Sequence, residues 1–130
     1  MTGPATTVPC RERLSRLTRQ QQAVAYLALA HALTDQARTA FLDGLGGFER
    51  ARQCNEVVHS LTAQALRLEQ GRVDIAAMRA FAELICESAG SRGWLPLLAR
   101  AIGQAEQVAR RAVQPGESRT IRASSPSRPS

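Results

Sequence analysis

Apolar residues recur at steps of three and four through most of this 130-residue chain, and the pattern breaks mainly where glycine, proline or a capping side chain stands. The clearest stretch is Phe48, Ala51, Cys54, Val58, Leu61, Ala65 and Leu68, seven positions on one face of an α-helix. Aromatic residues make up only 4% of the chain, so a core must come from Leu, Val, Ile and Ala. That palette suits helices better than sheets, because aromatic and β-branched side chains are the strand formers. The length allows one domain with a single modest core.

The same periodicity, with its punctuation, predicts an all-α, up-and-down antiparallel bundle of four main helices, in three regions. Residues 1–9, with Gly, two Pro and three Thr, are expected to be a flexible leader. Residues 10–114 form the bundle, and residues 115–130, rich in Ser, Pro and Arg, a disordered tail that cannot bury enough apolar surface to order itself. The first helix starts near Cys10 and carries Leu14, Leu17, Gln21, Val24, Ala28 and His31 on one face. Unbroken to Asp43 it would be about 50 Å long, more than a domain of this size needs, so a break is expected at Thr34-Asp35.

Gly44, Gly46 and Gly47 then form a turn; no Gly-Lys-Ser/Thr follows, which excludes a P-loop. Gly71 should end the next helix and Asp74 should cap the one after it, with Ile75, Met78, Phe81, Ala82, Ile85 and Ala89 facing the core before Gly90. Pro96 fits the first turn of a last helix whose buried face runs from Trp94 through Leu98, Ile102 and Val108 to Ala112.

The net charge of +6 points toward a polyanionic partner, but all 17 basic residues are Arg and they are spread along the chain, as a GC-rich coding bias would leave them. Arg11, Arg13, Arg16 and Arg19 crowd the first helix and Arg100, Arg110 and Arg111 the last, so weak nucleic-acid binding requires those two helices to be neighbours. Three cysteines, Cys10, Cys54 and Cys86, form no CxxC pair and leave an odd thiol, which fits a reducing cytoplasm better than a disulfide scaffold. The one apolar run, Ala23 to Leu33, is about half Ala, lies 22 residues into the chain and is too short to span a membrane.

Among residues with chemistry, the cluster Asn55-Glu56-Val57-Val58-His59 stands out. On a helix with roughly 100° per residue, Glu56 points away from the apolar face and His59 lies at its edge beside Arg52 and Asn55. An edge histidine with small neighbours is what a phosphoacceptor needs, because a partner protein must reach the ring. Glu56-x-x-His59-Ser60-Leu61 is similar, over barely a turn and a half, to the histidine box of dimerising kinase and phosphotransfer helices. The Lys-Gly or Arg-x-Lys-Asn that such families place next is Leu61-Thr62-Ala63-Gln64 here, so no membership follows. Glu-x-x-His is also half of a carboxylate-bridged metal motif, and His31 with Asp35 could complete a single-metal set with Glu56 and His59, joined by Glu83 or Glu87 if the helices align. No nucleophile motif ties either histidine to a serine, so neither catalysis nor a cofactor is expected.

The leading expectation is therefore a non-enzymatic helical module that binds another protein, and a second copy of itself in particular. Phosphotransfer through His59, with Glu56 and Asn55 beside it, is the alternative, and weak nucleic-acid binding a further one. Self-association is expected because Val24 and Ala28 occupy one side of the first helix while Tyr26, Leu29 and Leu33 occupy the other. Both sides want cover. Tyr26, Leu29 and Leu33 are the expected interface of a homodimer; the competing arrangement folds the segment after Asp35 back over them.

Overall fold

A computed structural model describes the backbone of residues 2–113 and the side chains of residues 9–44 and 46–108; the expected tail at 115–130 lies outside the described residues. Five helices follow one another: α1 (Thr2–Ser15), α2 (Arg19–Phe41), α3 (Leu45–Glu69), α4 (Ile75–Arg92) and α5 (Leu95–Val113). No strand occurs among the described residues.

The first break falls at Arg16–Thr18, well before Thr34-Asp35, and this corrects the expected position. Thr18 leaves the helical conformation with φ −71° and ψ 173°, and its hydroxyl accepts from the Gln21 backbone N–H at 3.1 Å. In return the Gln21 side chain accepts from the Thr18 N–H at 2.8 Å. This reciprocal capping box satisfies two amides that a helix start otherwise leaves bare. Thr34 caps nothing: its hydroxyl donates to the Ala30 carbonyl at 2.8 Å, one turn back inside α2. A hydroxyl satisfied in this way has no reason to end a helix, and α2 runs on for about 35 Å. Helix α1 in turn reaches back through residues 2–9, the stretch expected as a leader, with Pro9 in its interior.

The other punctuation behaves as its chemistry requires, with one shift. Asp74 accepts from the Ala77 N–H at 2.8 Å and starts α4. Gly71, at φ 69°, follows the C-terminus of α3, where the Arg72 N–H reaches the Arg67 carbonyl. Helix α4 passes through Gly90 and ends instead at Gly93, whose φ of 77° is the left-handed cap.

Helix α2 is central. It packs along α3 on one side and against α5 on the other, while α1 packs on α4 and α5 and α4 touches α5. Five helices pack together among the described residues, the extra one arising from the break at Arg16–Thr18 instead of Thr34-Asp35, and there α3 has α2 as its one extensive neighbour. Tyr26, Leu14, Leu29, Leu33, Leu61, Leu98, Ile102 and Cys86 are fully buried. The ring of Tyr26 meets Phe81 of α4 edge-on, centroids 5.0 Å apart, a favoured aromatic geometry. Phe48, Ile75 and Val108, expected inside, are exposed, each near an end of its helix's apolar stripe.

Candidate functional site

The residues singled out from the sequence fall on separate parts of the molecule. His59 is exposed on α3, as an edge position demands, and among the described residues it hydrogen-bonds to neither Asn55 nor Glu56. Glu56 is instead held by Arg52 at 2.7 Å, and the same guanidinium grips Glu49 at 2.6 Å. That hydrogen bond to Arg52 holds the Glu49 carboxyl below its ordinary range. All three side chains are exposed, so the ladder is a solvated helix face worth little to stability.

The proposed ligands His31, Asp35, Glu56 and His59 do not assemble. Among the described residues no group of three His, Cys, Asp or Glu side chains is placed to hold a metal ion. Asp35 lies 3.5 Å from Arg38 one turn on, and Glu56 is committed to Arg52. Spacing along a single helix gave no information about the other helix, which is why the set looked possible.

Helices α1 and α5 are neighbours, as a joint basic patch would require, but carboxylates neutralise two of its cations. Arg13 makes a two-point contact with Glu106 of α5, at 2.9 and 3.2 Å, and the hydrogen bond raises the pKa of its guanidinium further. Arg11 sits 3.3 Å from Glu83 of α4. Arg19 donates to the Val73 carbonyl, tying the start of α2 to the loop before α4. These arginines act as fasteners between helices.

Tyr26, Leu29 and Leu33 are 0%, 1% and 0% exposed within one chain. The face expected to meet a second copy is covered by the chain's own helices, because α2 is the central element. Both sides of α2 did need cover, and intramolecular neighbours provide it.

All three cysteines are buried and unpaired. Burial pushes each thiol up, Cys86 to about 11, so all three stay protonated and unreactive near neutral pH. At pH 8 a disulfide-exchange reagent should therefore titrate almost no thiol in the native protein and all three in urea; rapid native labelling would contradict this burial. Because the folded-state value of Cys86 lies above that of a free thiol, near 9, its contribution to stability is present below pH 9 and lost as pH rises through 11.

One surface feature was not anticipated from the sequence. At the turn between α2 and α3, Phe41, Leu42 and Phe48 are 58%, 79% and 57% exposed, and the two phenyl rings lie 6.0 Å apart. The signal available was the run Phe41-Leu42-Asp43-Gly44-Leu45-Gly46-Gly47-Phe48, which crowds large apolar residues around a glycine turn. A turn of that kind ordinarily faces water and is polar. Asp43 and Arg50 flank the tip as an exposed pair at 3.5 Å.

The described residues thus define an all-helical domain with an aromatic tip, and no helix among them is long and apolar enough to cross a membrane. No protein-family model matches the chain, and no curated protein or solved structure matches it either.

Proposed function

We propose that this chain is a non-enzymatic helical interaction module that pairs with a second copy of itself through the tip of the α2–α3 hairpin. One observation carries this reading: of only three phenylalanines in the chain, two stand side by side and more than half exposed at that tip. Burying a Phe side chain contributes about 1.5–3 kcal/mol, so leaving two in water is a substantial free-energy cost that an apolar contact would recover. A second copy is the occupant favoured by charge. Around the tip Asp35 is matched by Arg38 and Asp43 by Arg50, a balanced rim that neither attracts nor repels a strongly charged partner and is complementary to itself across a twofold axis. The reading moves the interface from Tyr26, Leu29 and Leu33 to Phe41, Leu42 and Phe48.

Light scattering at micromolar concentration tests it. The native protein should give a dimer mass, and the double substitution Phe41→Ser, Phe48→Ser should give a monomer that keeps its helical circular-dichroism spectrum, since both rings are more than half exposed within one chain. A native monomer, or a dimer indifferent to the double substitution, would overturn the proposal.

A further inference from the structure

Where the α2–α3 hairpin meets the turn between α4 and α5 lies a cleft of about 520 Å³, within the range of small-molecule sites. Gln36, Arg50, Gln53 and Cys54 form one side of it, and Arg92 and Trp94 the other. No carboxylate lines it. We propose that this cleft binds a small-molecule oxyanion, the phosphate or carboxylate group of a compact ligand, between the guanidinium groups of Arg50 and Arg92.

Arg92 is the principal donor. Its guanidinium carbon sits 5.4 Å from the centre of the Trp94 ring, a cation–π contact at the edge of the cleft. A guanidinium carries a planar fork of N–H donors, the chemistry by which Arg binds phosphate and carboxylate in two-point fashion. Arg92 forms no ion pair with a carboxylate among the described residues, so none of them neutralises its charge. Arg50 approaches from α3. Its pair with Asp43 is exposed and held only at 3.5 Å, so it exchanges readily for a better acceptor.

Both guanidiniums line the same cleft as the buried Cys54. Glu49 reaches Gln53 at 3.4 Å but is already gripped by Arg52. In a concave site without a lining acid, the charge of Arg92 creates a local positive field whose complement is an anion, and Arg50 adds to it when an anion displaces Asp43. Trp94 also limits what kind. Its ring is largely buried and is approached by Arg92, so it offers no free platform on which a nucleobase could stack.

Trp94 is the only tryptophan in the chain and therefore reports on this cleft alone. The full-length protein is titrated with sodium pyrophosphate and, separately, with sodium citrate, at ionic strength held constant with sodium chloride, while Trp94 fluorescence and heat are recorded. A saturable response to pyrophosphate alone identifies a phosphate ligand, and to citrate alone a carboxylate ligand. Arg92→Gln should weaken binding at least tenfold by heat, the readout that does not depend on the Arg92–Trp94 contact, and Arg92→Lys should fall between because it keeps the charge but loses the fork. Arg50→Gln should weaken binding by less than Arg92→Gln. The proposal is overturned if neither anion gives a saturable response beyond that of sodium chloride, if Arg92→Gln binds as the native protein does, or if a mixed-sequence oligonucleotide binds while both small anions do not. None of these outcomes depends on the mass of the protein in solution.

Discussion

Replacing Gly47 by alanine should lower the melting temperature by about 10 °C or more, whereas the same change at its neighbour Gly46 should leave it level or raise it slightly. A methyl group built on Gly47 would overlap the backbone carbonyl oxygen of Ala40 and lie 2.7 Å from the carbonyl carbon, because α3 crosses α2 there in near contact. The obstacle is main chain, which cannot rotate aside, so the hairpin must open. Overpacking of this kind costs about 3 kcal/mol when backbone has to shift, and 1 kcal/mol is worth about 3–5 °C in a domain of this size. At Gly46 the nearest atom is the tip of the Arg50 side chain at 3.9 Å, so alanine meets no obstacle and gains about 0.5 kcal/mol from its lower unfolded-state entropy. Thermal melts of the two variants, followed by circular dichroism, separate the close approach from helix propensity. Equal melting temperatures would show that α2 and α3 do not touch at this point.

Substituting Leu29 by glutamate should abolish cooperative folding altogether. Leu29 is 1% exposed in the centre of α2, and a carboxylate there would lose its hydration with no cation within the core to pair with. A group in that position either takes up a proton or unfolds the chain, and losses above about 4 kcal/mol are typical of such substitutions. That is comparable with the whole stability of a small domain, about 5–15 kcal/mol. Leu27, two residues away and 42% exposed, provides the control: glutamate there should change stability by about 0.5 kcal/mol. The measurement also separates two arrangements of α2. If Leu29 lay on an interface between copies, Leu29→Glu would yield a folded monomer; if it lies in the core of one chain, it yields an unfolded one.

The helices themselves were legible because their signals are local. The repeat from Ala51 through Cys54, Leu61 and Ala65 to Leu68 is buried on α3 as its spacing predicts, and Asp74, Gly71 and Pro96 stand where their capping and turn chemistry puts them. The misplaced break in the first long helix was also a local matter: Thr18-x-x-Gln21 spells a capping box, while Thr34-Asp35 offers a cap residue without its partner. The wrong ends of the stripes, at Phe48, Ile75 and Val108, had a different origin. Periodicity says which side of a helix is apolar but not how far along its axis a neighbour continues.

By itself, then, the sequence determined that the chain is helical, which face of each helix is apolar and that the helix carrying Tyr26, Leu29 and Leu33 requires cover on both its sides. Tertiary structure alone decided what covers that helix, namely α3 and α5, with Phe81 of α4 against Tyr26. It also decided that Arg13 would meet Glu106, 93 positions away, so that an apparent basic patch became an interhelical clamp. The same is true of Gly47 against Ala40 and of Arg50 with Arg92 around one cleft. The physical reason is one of range. Capping and periodicity act over three or four residues of a single helix, where backbone geometry ties sequence spacing to direction in space. Partners on different helices are set by how whole faces pack, which no spacing along one helix encodes.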